Sequence, residues 1–79
     1  MNTVGILIQF QPRERERVQA EVIDLGCEVH LTTAEGKMVV TLEQSSDGLI
    51  ADTLVALQDI SGVLTAALVY HHYDSLEPE

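Results

Sequence analysis

The chain has 79 residues, of which 46% are hydrophobic, so it can bury the modest core of one small domain. Thirteen acidic residues oppose four basic ones, and the net charge of −9 argues against nucleic acid or an anionic membrane as a partner. Cys27 is the one cysteine, which excludes an intramolecular disulfide and suits a reducing compartment.

The first third of the chain predicts a strand followed by a helix. Residues 4–10 (VGILIQF) are apolar and β-branched with partial alternation, as in a strand. Pro12 ends strand pairing and suits the first turn of a helix. The helix over residues 13–25 has one apolar face, formed by Val18, Val22 and Leu25.

The next two strands are predicted to form a hairpin. Gly26 fits the left-handed position that ends the first helix. Residues 27–32 (CEVHLT) alternate between apolar and polar side chains, which indicates a half-buried strand. The turn at residues 34–36 then leads into a strand over residues 37–43 (KMVVTLE).

The rest of the chain predicts a second helix, a last strand and a tail. Residues 45–47 (SSD) are N-cap types, and the helix after them has an apolar face of Ile50, Leu54 and Leu57, widened by Ala51 and Val55. Ser61-Gly62 ends the helix, and residues 63–71 (VLTAALVYH) form the last strand. Residues 73–79 are acidic and contain Pro78, and we expect them to be a disordered tail.

The two halves of the chain share one order of elements: strand, helix, glycine, strand. Right-handed crossovers in two such halves predict a ferredoxin-like βαββαβ sandwich of the α+β class over residues 1–72. In this fold both helices lie on one face of a four-stranded antiparallel sheet, and strand four lies beside strand one, then three, then two. An unrelated α+β hairpin arrangement is the alternative.

Alternation along each strand assigns its side chains to the two faces of the sheet. The face under the helices receives Ile6, Ile8, Phe10, Cys27, Val29, Leu31, Met38, Val40, Leu42, Leu64, Ala66, Leu68 and Tyr70. The open face receives Gly5, Leu7, Gln9, Glu28, His30, Thr32, Lys37, Val39, Thr41, Glu43, Thr65, Ala67, Val69 and His71. The last strand is the least constrained, because both of its registers are apolar.

The centre of the open face is apolar, whereas a sheet face in water is normally polar. Leu7, Val39, Ala67 and Val69 lie there, and acidic residues lie toward the rim. An exposed apolar strip of this kind indicates a docking surface. The candidate binding residues are Gly5, Leu7, Gln9, Glu28, His30, Val39, Thr41, Glu43, Ala67, Val69 and His71. The alternative is that scattered surface valines are ordinary and the acidic charge serves solubility.

The sequence predicts neither catalysis nor a bound metal or cofactor. It contains no phosphate-binding glycine loop, no nucleophile elbow, no paired cysteines and no zinc-binding H-E-x-x-H motif. Cys27 is predicted to be a packing residue, because no base is indicated beside it. His30 and His71 lie on the two outer strands, about three strand spacings of roughly 4.8 Å apart, which is too far to share a metal ion. Adjacent His71 and His72 point to opposite faces.

Three segments resemble the NapD family. The stretches Ser61-Gly62-Val63-Leu64 and Leu68-Val69-Tyr70-His71 look like the family's GVL…LVYH segment. The first strand and the proline after it, residues 5–12, look like its opening strand. The Gly26-Cys27-Glu28-Val29-His30 stretch resembles its G-x-E-V segment, although Leu25 stands where the family often has a proline.

The resemblance implies a cytoplasmic assembly chaperone that needs no cofactor. Such proteins bind the twin-arginine signal peptide of the nitrate reductase catalytic subunit, and hold back export while the molybdenum cofactor is inserted. An acidic rim and an apolar strip suit a peptide that combines two arginines with an apolar segment. A small-molecule regulatory domain and a metallochaperone of the same fold are the alternatives. We expect no signal peptide at the N-terminus and no membrane insertion. The doubled strand-helix-strand pattern leads us to expect a monomer or weak dimer.

Overall fold

The computed structural model describes residues 2–44 and 47–73. Its strands are β1 (Asn2–Phe10), β2 (Glu28–Thr32), β3 (Lys37–Gln44) and β4 (Val63–Tyr73), and its helices are α1 (Arg15–Asp24) and α2 (Asp47–Gln58). The strands form one antiparallel sheet in the order β2-β3-β1-β4, which confirms the predicted ferredoxin-like fold. β4 is two residues longer than predicted. Ser45 and Ser46, predicted to cap α2, lie outside the described residues, as does the tail after Tyr73.

One hydrophobic core lies between the helices and the sheet. The central strand β1 contributes Val4, Ile6, Ile8 and Phe10, and none of the four is more than 1% exposed. The other core residues come from both helices, from β3 and β4 and from the connecting turns, namely Val18, Val22, Cys27, Met38, Val40, Leu42, Ile50, Leu57, Ile60 and Ala66. Because both helices share this core with the same side of the sheet, the opposite side carries no helix among the described residues.

Helix α1 begins and ends as its sequence predicts. Pro12 opens a short 3-10 turn (Pro12–Glu14) that leads into the helix. At the other end, the backbone N–H of Cys27 donates to the carbonyl of Val22 at 3.4 Å, and Gly26 donates to Ile23 at 2.9 Å. Gly26 has φ +95°, so this ending is a Schellman motif with glycine in its left-handed position.

Helix α2 buries a narrower face than predicted. Ile50 and Leu57 are buried and Leu54 is partly buried, as the 3.6-residue period requires. Ala51 and Val55 are exposed, so the prediction that they widen the buried face is wrong. The side-chain amide of Gln58, at the end of the helix, donates a hydrogen bond to the carbonyl of Ala66 in β4 at 3.0 Å. No helix in the described part of the chain is long and apolar enough to cross a bilayer.

Cys27 is a core residue with 5% of its surface exposed. Burial withholds water from the thiolate and raises the pKa of the thiol to about 11. At neutral pH the side chain is therefore a neutral thiol. The predicted place of Cys27 under the helices is confirmed.

The hairpin between β2 and β3 closes against the end of β1 through Gly36. Its carbonyl accepts a hydrogen bond from the N–H of Phe10 at 2.8 Å, and its own N–H donates to Thr33 at 3.2 Å. Gly36 has φ +104°. A β-carbon built on Gly36 would overlap the carbonyl oxygen of Phe10.

We predict that Gly36→Ala destabilises the fold more than Gly26→Ala does. Gly26 shares the positive φ but has open space around its Cα, so alanine there adds backbone strain alone, about 1–3 kcal/mol. Alanine at position 36 adds an overlap with backbone that cannot rotate away. Urea unfolding of both variants measures the difference, and equal losses of unfolding free energy would contradict the close approach of Gly36 to β1.

Candidate functional site

The open face of the sheet is crossed by one row of apolar residues that spans all four strands. Leu7 of β1 pairs with Val39 on one side and with Ala67 on the other. Val39 in turn pairs with Leu31 of β2. With strands about 4.8 Å apart, this transverse apolar row, Leu31–Val39–Leu7–Ala67, is roughly 14 Å long. Leu7 and Val39 are half-buried, whereas Ala67 is exposed and Leu31 is 56% exposed.

A β-bulge in β2 changes two of the predicted face assignments. The register shifts between Val29 and Leu31, so His30 is the extra residue. Leu31 was predicted to lie under the helices, but beyond the bulge it pairs with Val39 on the open face. Thr32 was predicted on the open face, but it pairs with the core residue Met38 and is half-buried. His30 keeps its predicted face, because its Nε2 lies 2.7 Å from Oγ1 of Thr41.

A second bulge, in β4, changes predicted face assignments at the opposite edge of the sheet. The register shifts between Gly5 and Ile6, and Val69 is the extra residue, 56% exposed. Tyr70 was predicted to lie under the helices, but it pairs with Gly5 and is 50% exposed. The shift also pairs the backbone of His71 with the core residue Val4, so the register does not support its predicted place on the open face.

The start of β4 also departs from simple alternation. Another register shift lies between Gln9 and Phe10, and Leu64 is the residue left without a partner in β1. Leu64 was predicted to be covered, but it is 60% exposed. Ala66 is buried as predicted, and Leu68 pairs with Ile6 yet remains 42% exposed at the sheet edge.

The ring of Tyr70 lies on Gly5. A β-carbon built on Gly5 would lie 2.6 Å from Cδ2 of the ring, so only glycine leaves room for it. Gly5 itself is buried, although it belongs to the open face. The open face therefore has an aromatic side chain against Gly5, beside the transverse apolar row.

Charged residues flank the apolar row along the strands. Glu43 pairs with Thr3, and Glu28 pairs with Thr41, both toward the end of the sheet where β1 begins. Lys37 pairs with Gln9 toward the opposite end. All three charged residues are exposed. The predicted rim acids thus lie together on one side of the row.

The structure brings most of the predicted binding residues onto one surface and adds two. Leu31 and Tyr70 were missed because alternation cannot show where a bulge reverses it. Gly5 was the available signal for Tyr70, because a glycine inside a strand indicates close approach by another group. Within residues 2–44 and 47–73, no group of three or more His, Cys, Asp or Glu side chains is placed to hold a metal ion.

We predict that Gly5 and Tyr70 are energetically coupled. Gly5→Ala should destabilise the protein because its methyl group displaces the ring, and should cost less when Tyr70 is already alanine. A double-mutant cycle by urea unfolding should give a coupling of about 0.5–3 kcal/mol. Additive losses would mean that the ring does not rest on Gly5 in solution.

Comparisons with known proteins identify relatives of this chain. The family model for NapD proteins matches residues 1–75. A curated relative, chaperone NapD of Haemophilus influenzae, is 28% identical over 75 residues, covering 92% of this chain and 81% of the relative. The solution structure of the E. coli Tat proofreading chaperone protein NapD has the same fold, with a TM-score of 0.81 and 23% identity over 98% of this chain and 83% of that one.

Proposed function

The chain belongs to the NapD family, and from that premise we propose that it is a chaperone for the twin-arginine signal peptide of the periplasmic nitrate reductase catalytic subunit. It acts in the cytoplasm and holds back export until cofactor insertion is complete. It catalyses no reaction and holds no cofactor of its own. The family match supports this function and gives no support to a regulatory domain or a metallochaperone.

The transverse apolar row is the observation that carries the proposal. A signal peptide has an apolar segment that must be covered before export, and the row offers an uncovered apolar surface of matching chemistry. Full burial of a leucine or phenylalanine side chain contributes about 1.5–3 kcal/mol. Leu31 and Tyr70 are 56% and 50% exposed, so roughly half of that gain is still available to a ligand at each position. The apolar side of the peptide contacts the row.

The charged rim supplies the second half of the recognition. Two adjacent arginines distinguish this class of signal peptide. The exposed carboxylates of Glu28 and Glu43, on one side of the row, can form ion pairs with these arginines. Exposed ion pairs add little affinity, about 0–1 kcal/mol each, but they attract a basic peptide and orient it. Apolar contacts therefore hold the peptide, and the carboxylates select it.

We predict that acidic substitutions in the apolar row weaken peptide binding. Leu7→Asp or Val39→Asp should raise the Kd for a synthetic twin-arginine signal peptide at least about tenfold, or roughly 1.4 kcal/mol, because a carboxylate would have to be desolvated under the peptide. Isothermal titration calorimetry measures the change. The matched control is Val55→Asp, since Val55 is 57% exposed on the outer face of α2.

Two outcomes would count against this binding face. One is an equal loss of affinity in the Val55→Asp protein, which would show that added negative charge anywhere disturbs binding. The other is an unchanged Kd in the folded Leu7→Asp and Val39→Asp proteins, with folding checked by circular dichroism. A peptide with lysines in place of both arginines keeps the charge and tests whether guanidinium geometry matters.

We also predict that association depends on salt. The peptide is basic and the rim is acidic, so raising the ionic strength from about 10 mM to 150 mM should slow association, because the screening length falls from about 30 Å to 8 Å. Stopped-flow fluorescence measures the rate. Glu28→Lys and Glu43→Lys should lower the rate and its salt dependence, whereas Asp52→Lys, an exposed acid on α2, should change them less.

The acidic residues after Tyr73 need a control of their own in this experiment. Asp74, Glu77 and Glu79 add three negative charges. A chain that ends at Tyr73 removes them and leaves the sheet rim intact. If this shortening alone abolished the salt dependence, the tail and not Glu28 and Glu43 would attract the peptide.

A further inference from the structure

The two ends of the open face differ in charge. At the end where β1 begins, Glu43 and Glu28 lie on the open face, and we call this the acidic end. At the end where β1 finishes, Lys37 lies beside Gln9, and we call this the lysine end. Lys37 and Glu43 are six residues apart on β3, about 20 Å at 3.3 Å per residue. That distance exceeds the screening length of about 8 Å in physiological salt, so a ligand senses the two ends separately.

The segment that leads into α1 adds to this asymmetry. The other three basic residues, Arg13, Arg15 and Arg17, follow directly on the end of β1. Arg17 lies there beside Gly62, whose carbonyl accepts a hydrogen bond from Gln11 at 2.8 Å. All four basic residues of the chain therefore lie at the lysine end. They share it with five acids, Glu14, Glu16, Glu21, Glu35 and Asp59, so this end is nearly neutral.

The acidic end has no such compensation. Helix α1 runs back from the lysine end and brings Asp24 close to the start of β2 at Glu28, while α2 starts at Asp47, just after β3 ends. Since all four bases are at the other end, Glu28 and Glu43 face no lysine or arginine at this end of the described sheet. The carboxylates of Glu28 and Glu43 are thus uncompensated at the acidic end, whereas the lysine end is nearly neutral.

We infer that the signal peptide binds in one direction, with its two arginines at the acidic end and its apolar segment running over the transverse apolar row toward Lys37. This inference rests on the proposed function and adds the orientation of the ligand. A helical apolar segment of about 12 residues is roughly 18 Å long, close to the distance between the two ends. The partial negative charge at its C-terminus would then lie near Lys37, and the reverse orientation would bring the arginines against Lys37.

Paramagnetic relaxation enhancement tests the orientation directly. A synthetic twin-arginine signal peptide carries a nitroxide either beside the arginines or at the far end of the apolar segment, and the reduced nitroxide is the reference. The arginine-end label should broaden the backbone amides of Thr41 and Glu43. The far-end label should broaden those of Gln9 and Lys37.

The outcomes separate this inference from the proposed function. If the peptide binds and the two labels show the opposite pattern, or broaden both ends equally, the orientation is wrong and the proposed function stands. If the unlabelled peptide does not bind by calorimetry, both fail.

A charge exchange supplies an independent measure. The double change Lys37→Glu with Glu43→Lys keeps the net charge at −9 but reverses the gradient on the open face. It should weaken binding about three- to tenfold. The matched control exchanges two exposed neighbours at the lysine end, Arg15→Glu with Glu16→Arg, and should leave the Kd unchanged. Equal affinities of the Lys37–Glu43 exchange and the unaltered protein would overturn the inference.

Discussion

The structure depends on the central strand β1, whose alternate residues serve two surfaces. Val4, Ile6 and Ile8 are fully buried beneath the helices. Between them, Gly5 and Leu7 belong to the open face, where β3 and β4 pair with them on either side. Because side chains alternate along a strand, the register that buries the core also fixes what the open face presents. The candidate binding surface is therefore as well defined as the hydrophobic core behind it.

The sequence predicted the surface well wherever the ladder is regular. β1 and β3 pair without a shift from Asn2 to Gln9, and there every predicted face assignment is confirmed. The errors at Leu31, Thr32, Leu64 and Tyr70 all lie in the outer strands, at or beyond a register shift. A bulge depends on how a strand fits its neighbour and on the twist of the sheet, which a single strand's apolar pattern does not record. Both registers of β4 are apolar, so its pattern offered no correction.

The bulges also explain why the open face is more apolar than alternation implied. Each bulge moves one large side chain from its predicted covered position to the open face: Leu31 on β2 and Tyr70 on β4. Outer strands are exposed to unwanted pairing, and bulges commonly interrupt them. Here the two bulges also extend the apolar surface from β1 and β3 to both edges of the sheet. At the β4 edge, the Tyr70 ring packs against Gly5 of β1. Each bulge thus limits pairing at its edge of the sheet and widens the apolar surface of the open face.

The net charge alone fits two roles for the acidic residues, solubility and attraction of a basic ligand, and the distribution of charge bears on which role applies. Acidic residues spread evenly would keep the protein soluble and give a ligand no preferred direction. In this fold β1 ends where α1 begins, so the Arg13–Arg17 segment comes to the same end of the sheet as Lys37. Arg17 is already paired there with Glu14 at 2.8 Å and with Glu21 at 3.3 Å. The positive charges at that end of the molecule are therefore largely neutralised. At the other end, Glu28 and Glu43 pair across the strands with uncharged residues, Thr41 and Thr3. The proposed attraction of a basic peptide to that end therefore follows from the topology of the chain more than from the number of its acids.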